Sequence, residues 1–226
     1  MADFFNLKNN QQVNVNNDTI KKINYINIHE TNYSISYDPY IIFLFNNYNI
    51  EYEHPDNSNL IFFNCHSIQT IENFIENNGK NNKLSYNNIV KLIYDTGILI
   101  KYLEEERRSI FCFSLNDYVV INNNFFFFIN PYKISNIYRN SITLKIPINV
   151  DENFLNINTI FSHLPYKEHY TNSYYSFGLM VFYLLTEERY SNKNNHLLKL
   201  YYQTPIYYFL LRCLNTNPQE RSYLYI

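Results

Sequence analysis

The sequence of 226 residues predicts an α+β fold, with a small β-containing first segment followed by a mainly helical body. Two observations support this prediction. Apolar runs of strand length, rich in Ile and Phe, lie before residue 66 and again at 117–129. Apolar residues spaced by three and four, as on the buried face of a helix, recur in later stretches. We therefore divide the chain into residues 1–66 and 67–226.

Two apolar runs predict strands in the first segment. Residues 1–35 are rich in Asn and predict only a loose start followed by a short strand or helix. Tyr40–Phe45 and Asn59–Asn64 have the length and the Ile and Phe content of strands. A polar connection that contains Pro55 separates them, so we predict that these strands are adjacent and antiparallel.

Two helices are predicted next. The first follows Ser67, with Ser67 or Thr70 as its cap, and Asn77-Asn78-Gly79 ends it. The second follows Ser85 and carries an apolar stripe over about five turns. A run of charged residues at 104–108 is predicted to be its solvated end.

A hairpin is predicted after the second helix. Asp117–Ile121 and Phe125–Ile129 are short β-rich runs around the turn Asn122-Asn123-Asn124. Four consecutive Phe residues in the second run predict a strand that is buried on both faces.

The last third of the chain is predicted to be irregular from Pro131 to about Tyr170 and helical after that. One helix begins near Ser173, where apolar residues again recur at three and four. Another follows Thr204-Pro205, because Thr is a good cap and Pro suits the first helical position.

Composition and charge exclude several classes of function. A formal net charge of −2 lacks the basic excess of a nucleic-acid-binding protein. Three widely separated Cys residues predict neither a disulfide framework nor a zinc site. The apolar runs are too short to span a bilayer and no signal peptide is evident, so we expect a cytoplasmic protein without a membrane partner. No pattern predicts a cofactor or a metal.

Residue usage indicates A/T-rich coding. Asn, Ile, Tyr and Phe are abundant, whereas the chain has three Gly, no Trp and a single Ala. Such a bias is typical of poxviruses, other large DNA viruses and parasitic protists. We expect a large DNA virus as the source, which would place the protein in the host cytoplasm.

Two segments near the end carry a resemblance to protein kinases. Residues 173–186 (SYYSFGLMVFYLLT) resemble the start of the long central helix of the kinase C-lobe, and residues 213–221 (CLNTNPQER) resemble its C-L-x-x-(D/N)-P-x-x-R motif. The residues that carry both motifs are Ser173, Ser176, Phe177, Gly178, Pro218 and Arg221. The resemblance covers roughly residues 35–226 and implies a reduced N-lobe at 1–66 and a kinase-like C-lobe at 67–226.

The resemblance also implies that the catalytic positions are degenerate. Kinases need the Asp and the Asn of a catalytic loop and the Asp of a D-F-G motif. The matching positions are identified as Ser114, Val119 and Asn130, none of which supplies a carboxylate. No G-x-G-x-x-G is present, and the phosphate-contacting lysine has no counterpart other than Lys21 or Lys22.

The resemblance also predicts a partner for Arg221. In kinases the residue matching Arg221 pairs with the acid of an A-P-E motif, which would here read Leu164-Pro165-Tyr166, with Glu168 as a replacement acid. A buried arginine without a partner is costly, so we expect an acidic or carbonyl partner for Arg221.

Three hypotheses for the function follow. The first is an inactive pseudokinase that binds a host or viral kinase, or its substrate, as a scaffold or decoy. In this it would be similar to the viral relatives of the mixed lineage kinase domain-like pseudokinases. The second is an unconventional kinase that uses Asp117 or Asp151 as a relocated metal ligand. The third is a purely structural subunit of a larger assembly.

Overall fold

A computed structural model of the chain mixes strands and helices along the sequence, which confirms the α+β class. It describes residues 20–29, 32–78, 83–145, 148, 151, 154–155, 164–191 and 193–223.

The first part of the chain forms one antiparallel sheet and one helix. Its strands are β1 (Ile20–Ile23), β2 (Ile26–His29), β3 (Asn32–Ser36), β4 (Tyr52–Glu53) and β5 (Leu60–Phe63). They lie in the order β1-β2-β3-β5-β4. Helix α1 (Pro39–Asn47) connects β3 to β4 and packs on the sheet, with the Phe45 and Phe63 ring centroids 4.8 Å apart.

The predicted strand at Tyr40–Phe45 is wrong, because these residues belong to α1. Asp38 caps the helix by accepting a hydrogen bond from the Tyr40 backbone N–H, and Pro39 occupies the first helical position. A short, uniformly apolar run does not distinguish a buried helix from a buried strand, so the capping pair is the informative signal. The other predicted strand, β5, is confirmed, but it pairs with β3 and β4.

Two contacts fix α1 to the helical body. The Arg108 guanidinium donates to both carboxylate oxygens of Asp38, at 3.2 and 3.1 Å. The rings of Phe43 and Tyr102 stack with centroids 4.1 Å apart. The bidentate geometry of the ion pair fixes the N-terminus of α1 in direction as well as in distance.

The two predicted helices after residue 66 are confirmed, with one change. They are α2 (Ile71–Asn78) and α3 (Tyr86–Glu105). Thr70 Oγ1 accepts from the Asn73 N–H, and Ser85 Oγ accepts from the Asn88 N–H. The segment before α2 is a strand, β6 (Ile68–Thr70), rather than the first turn of the helix. Gly79 lies outside the described residues.

The predicted hairpin is confirmed as β8 (Tyr118–Ile121) and β9 (Phe125–Phe128). Asn122 and Asn123 both have positive φ, 55° and 54°, as a type I′ turn requires. Asn is one of the few residue types that adopt this conformation readily, so the Asn-rich turn has a backbone cause. Strand β6 pairs with β8, which completes a three-stranded sheet.

The stretch predicted to be irregular contains short strands. Strand β10 (Ile134–Asn136) pairs with β7 (Arg108–Ile110). Strand β11 (Ser141–Leu144) pairs with β12 (Tyr166–His169), so the prediction is wrong at both places. Strands of three or four residues are too short to establish a period of two in the sequence.

Helices α4 (Asn172–Thr186) and α5 (Pro205–Cys213) confirm the last two predicted helices. Helix α4 is buried around most of its circumference, as expected of a central core helix. Gly178 lets α5 approach closely, because a Cβ added there would lie 2.8 Å from the Cys213 Cβ and 3.2 Å from Leu214. The main apolar core surrounds this contact.

Gly178→Ala is expected to destabilise the protein by about 1–3 kcal/mol, because the new methyl group overpacks the α4–α5 contact. Urea unfolding followed by circular dichroism measures the change. The control is Lys101→Ala on the exposed face of α3, where alanine is a good helix former and no loss is expected. Unchanged stability in Gly178→Ala would contradict the close approach.

Candidate functional site

The hairpin β8–β9 brings two loops side by side. The Ile129 backbone N–H donates to the Asp117 carbonyl at 2.8 Å, and the Phe111 N–H donates to the Lys133 carbonyl at 2.7 Å. Residues before β8 and after β9 therefore share one polar centre. We call it the Asp117 cluster, and its members are Ser114, Asp117, Asn130 and Lys133.

Asp117 is buried, with 3% of its surface exposed, and its carboxylate accepts four hydrogen bonds. Oδ2 accepts from the Ser114 N–H at 2.8 Å, from Ser114 Oγ at 2.7 Å and from Lys133 Nζ at 2.6 Å. Oδ1 accepts from Asn130 Nδ2 at 2.8 Å. A carboxylate offers about four lone-pair sites, two on each oxygen. The protein's own donors therefore saturate Oδ2, while Oδ1 accepts one hydrogen bond.

Lys133 is the most unusual member, because only 1% of its surface is exposed. Its ammonium donates to Asp117 and, at 2.9 Å, to Ser114 Oγ. Burial raises the pKa of the neighbouring Cys112 thiol to about 12, although the positive charge of Lys133 opposes the shift. A buried ammonium is tolerated only with such close partners, since removing a charge from water is costly.

Asn130 orients the second loop. Its Oδ1 accepts from the Tyr132 N–H at 3.2 Å, which caps the 3-10 turn Pro131–Lys133. Its Nδ2 donates to Asp117, as described above. Both ends of the amide are thus used within the protein, and the turn directs Lys133 inward.

The turn between β1 and β2 covers this region. Asn24 Nδ2 donates to the Asn116 carbonyl at 2.9 Å, and the rings of Tyr25 and Tyr132 lie 6.0 Å apart. Burial raises the pKa of Tyr25, and the negative charge of Asp117 raises it further. The first sheet therefore reaches over the loop that contains Asp117.

The structure brings together two of the three sequence-predicted catalytic positions. Ser114 and Asn130 both contact Asp117. Val119 lies apart from them in β8, where it is fully buried and opposes Phe127 across the hairpin.

Residues of the motif at 173–186 hold the loop before β8 in place. Ser176 Oγ accepts from the Phe113 N–H at 2.9 Å, and the rings of Phe177 and Phe113 lie 5.1 Å apart. Ser173 lies inside the first turn of α4, not at its cap, and its hydroxyl donates to the Tyr170 carbonyl at 2.9 Å.

Arg221 has carbonyl partners, as predicted. Its Nε donates to the Asn215 carbonyl at 2.7 Å, and its guanidinium lies 4.5 Å from the centre of the Tyr175 ring. Burial lowers the pKa of Arg221, while the charges of nearby groups, Tyr175 and Glu168 among them, oppose this shift. The Pro218 carbonyl accepts from Thr171 Oγ1 at 2.7 Å, so Pro218 and Arg221 both contact residues at the start of α4.

The sequence interpretation missed Lys133, although a signal was present. Asp117 and Lys133 are the only charged residues in the stretch 109–137, which is otherwise neutral and rich in aromatic residues. Two opposite charges in such a stretch are expected to pair, because burying an ionised side chain without a partner costs on the order of several kcal/mol.

Within the described ranges, no three His, Cys, Asp or Glu side chains meet as ligands for a metal ion. Lys22 is exposed on β1, and Asp151 is half-buried in the stretch before α4. Among the helices that the structure describes, none has the length and apolar character needed to cross a membrane.

Comparison with models of known protein families gives no match, and comparison with curated proteins gives no significant match. The chemistry of the site therefore rests on its own geometry. The anionic centre of the Asp117 cluster is already paired with a cation and accepts four hydrogen bonds from the protein.

Lys133→Met is expected to destabilise the protein by about 3–5 kcal/mol, because it leaves the Asp117 carboxylate buried without its cation. In the double variant Asp117→Asn/Lys133→Met the losses should not add, and a coupling of about 0.5–3 kcal/mol is expected. Urea unfolding of the unaltered chain, of Lys133→Met, of Asp117→Asn and of the double variant measures this coupling.

The matched control is the exposed pair of Lys83 and Glu187, whose charged atoms lie 4.0 Å apart. Lys83→Met should change stability by less than about 1 kcal/mol, because exposed pairs contribute little. Equal losses in Lys83→Met and Lys133→Met would show that the buried pair is not a special constraint.

Proposed function

We propose that the chain is a catalytically inactive, protein-kinase-like protein that acts by binding. In this proposal its partner is a protein kinase of the host or virus, or the substrate of such a kinase, and it serves as a scaffold or decoy in the cytoplasm. The observation that carries the proposal is the ammonium of Lys133 inside the Asp117 cluster.

The order of elements supports the kinase-like part of the proposal. A five-stranded antiparallel sheet with one helix between β3 and β4 precedes a connection and α2. The long α3, a loop and the hairpin β8–β9 follow, as a helix, the catalytic loop and paired strands follow one another in kinases. Helices α4 and α5 then carry the Ser-Phe-Gly and Pro-x-x-Arg motifs.

The contact between Asp117 and Asn130 favours a register two residues earlier than the one inferred from sequence. In kinases the catalytic-loop Asn and the D-F-G Asp both hold magnesium, so these two positions must be neighbours. Asp117 then takes the place of the Asn, Asn130 that of the D-F-G Asp, and Cys112 that of the catalytic Asp. A buried thiol with a pKa near 12 is a poor base at neutral pH.

In either register, Lys133 removes the basis for metal-assisted phosphoryl transfer. Magnesium needs free oxygen ligands and neutralises the charge of the transferred phosphate. Oδ2 of Asp117 is saturated by three donors and Oδ1 accepts from Asn130, while the ammonium supplies the positive charge that a metal ion would otherwise supply.

The kinase lysine and its partner glutamate are also missing from the expected elements. Active kinases place a lysine on the third strand and pair it with a glutamate on the following helix. The sequence of β3 is NYSIS and that of α1 is PYIIFLFNN. Neither contains a charged residue, so this pair cannot form between them.

An unconventional kinase remains the second candidate, and Asp117 is the observation that favours it, because a carboxylate does stand in the catalytic region. Its use as a metal ligand would require Lys133 to leave the cluster. A structural subunit is the third candidate, and only the identity of the partner separates it from the first.

Mg-ATP should produce no saturable thermal shift. A nucleotide at a hundred times its Kd would stabilise the folded state by about 2.7 kcal/mol, which a thermal melt detects easily. The titration is run on the full chain, with Mg-ADP in parallel.

Lys133→Met serves as the matched variant, since it removes the competing ammonium while keeping side-chain volume. A saturable shift in the unaltered chain would overturn the proposal in favour of the active kinase. A shift seen only in Lys133→Met would support the role of Lys133 in excluding the metal.

The partner is tested by affinity purification of the tagged chain from cells, scored for protein kinases against an unrelated bait of equal size. A kinase recovered reproducibly, and shown to bind the purified chain directly, is the expected result. Recovery of assembly proteins without any kinase would support the structural subunit instead.

A further inference from the structure

Helix α5 is apolar on both of its sides, although only one side faces the core. Its inner face buries Ile206, Phe209, Leu210 and Cys213. On the outer side, 48% of Tyr208 and 45% of Leu211 are exposed. A helix that is apolar all round is normally buried on all sides, whereas the outer face of α5 is left exposed by the part of the chain that the structure describes.

The exposed apolar surface continues from α5 into the preceding segment. The rings of Tyr202 and Tyr207 lie 5.3 Å apart, and those of Tyr207 and Tyr208 lie 5.4 Å apart, both edge to face. Tyr202 is 61% exposed and Leu200 is 73% exposed. Four of the ten exposed large hydrophobic residues in the described part of the chain thus fall within twelve positions. We call this surface the α5 face, made of Leu200, Tyr202, Tyr208 and Leu211.

The α5 face has a basic border. Residues 193–219 contain Lys193, Lys199 and Arg212 but no Asp or Glu, although the whole chain has a net charge of −2. Lys199 directly precedes Leu200, and Arg212 directly follows Leu211. Both basic side chains are exposed. The surface therefore combines apolar and aromatic contact area with positive charge, and a partner that covers it should supply the opposite charge.

We propose that the α5 face docks an acidic amphipathic helix of a partner protein. Tyr208 and Leu211 are three residues apart on α5 and form a ridge on which the apolar face of a second helix can pack. Tyr and Arg are enriched at protein interfaces and among their energetically dominant residues. The inference rests on the proposed binding function, for which it names a surface and a partner chemistry.

Two other occupants fit the surface less well. A second copy of the chain, docked symmetrically, would bring the two basic borders together, and this contact is repulsive. Lipid-binding basic surfaces carry clusters of four to eight Lys or Arg side chains, roughly, whereas this segment has three. An acidic protein helix satisfies both the apolar area and the charge.

The test is selection of sixteen-residue peptides from a random display library on the immobilised full chain. We expect the enriched peptides to be acidic, with apolar residues three and four positions apart. Leu211→Glu should weaken a selected peptide at least tenfold in fluorescence anisotropy, and Arg212→Glu at least threefold. Both variants should remain folded, because both side chains are exposed, and Arg212→Glu should melt slightly lower because it places a negative charge in the last turn of α5.

Tyr86→Glu is the matched control, since it places the same charge on another exposed helical residue, at the start of α3. It should leave peptide affinity unchanged. The proposal is overturned by neutral or basic selected peptides, or by affinity that does not respond to Leu211→Glu.

Two parallel measurements test the other occupants. The first is flotation of the chain with vesicles of phosphatidylcholine and phosphatidylserine, and the second is sedimentation, which detects a dimer. The proposal is overturned if the chain binds the vesicles or dimerises and Leu211→Glu abolishes that binding or that dimer. Neither these assays nor the peptide selection involves nucleotide or a kinase. A failure of the α5 face is therefore distinct from a positive Mg-ATP titration, which would overturn the proposed function.

Discussion

The ion pair between Lys133 and Asp117 is the constraint on which the arrangement of the central loops depends. Both charges are withdrawn from water, so each must be compensated by the protein. Their partners come from both sides of the hairpin β8–β9: Ser114 from the loop before it and Asn130 from the loop after it. Moving either loop would break several charge-assisted hydrogen bonds at once, and the hairpin is therefore fixed at its open end as well as at its turn.

Helix α4 transmits this constraint to the rest of the core. Ser176 and Phe177 hold the loop that leads to Ser114, while Gly178, one position later, allows α5 to pack closely. Consecutive residues of one helix thus connect the polar centre, the aromatic core and the last helix. The first sheet joins the same unit through Asp38 and Arg108. The residues that carry the sequence resemblance in α4 therefore make core contacts here, while Ser114 and Asn130 form hydrogen bonds with Asp117.

Sequence predicted the elements whose signals are local. Thr204 was predicted as a cap, and the Asn122-Asn123 turn was predicted between two β-rich runs, because capping and turn chemistry depend on a few neighbouring residues. The uniformly apolar run at Tyr40–Phe45 was misassigned, since its helical state follows from Asp38 and Pro39 beside it. The Asp117 cluster was found only in part, because the pairing of Lys133 with a residue sixteen positions earlier depends on how the hairpin folds back.

The distribution of polar and apolar groups separates stability from recognition in this protein. At the Asp117 cluster the donors and acceptors satisfy one another, and this leaves little polar capacity for a ligand. At the α5 face the situation is reversed, because apolar and basic side chains face outward although an isolated fold would gain from burying them. Helix α4 lies between the two regions and is itself buried, so a partner can cover α5 without disturbing the ion pair. The proposal that the chain acts by binding rests on this division, because the polar groups at its centre are paired with one another while the apolar groups of the α5 face are exposed.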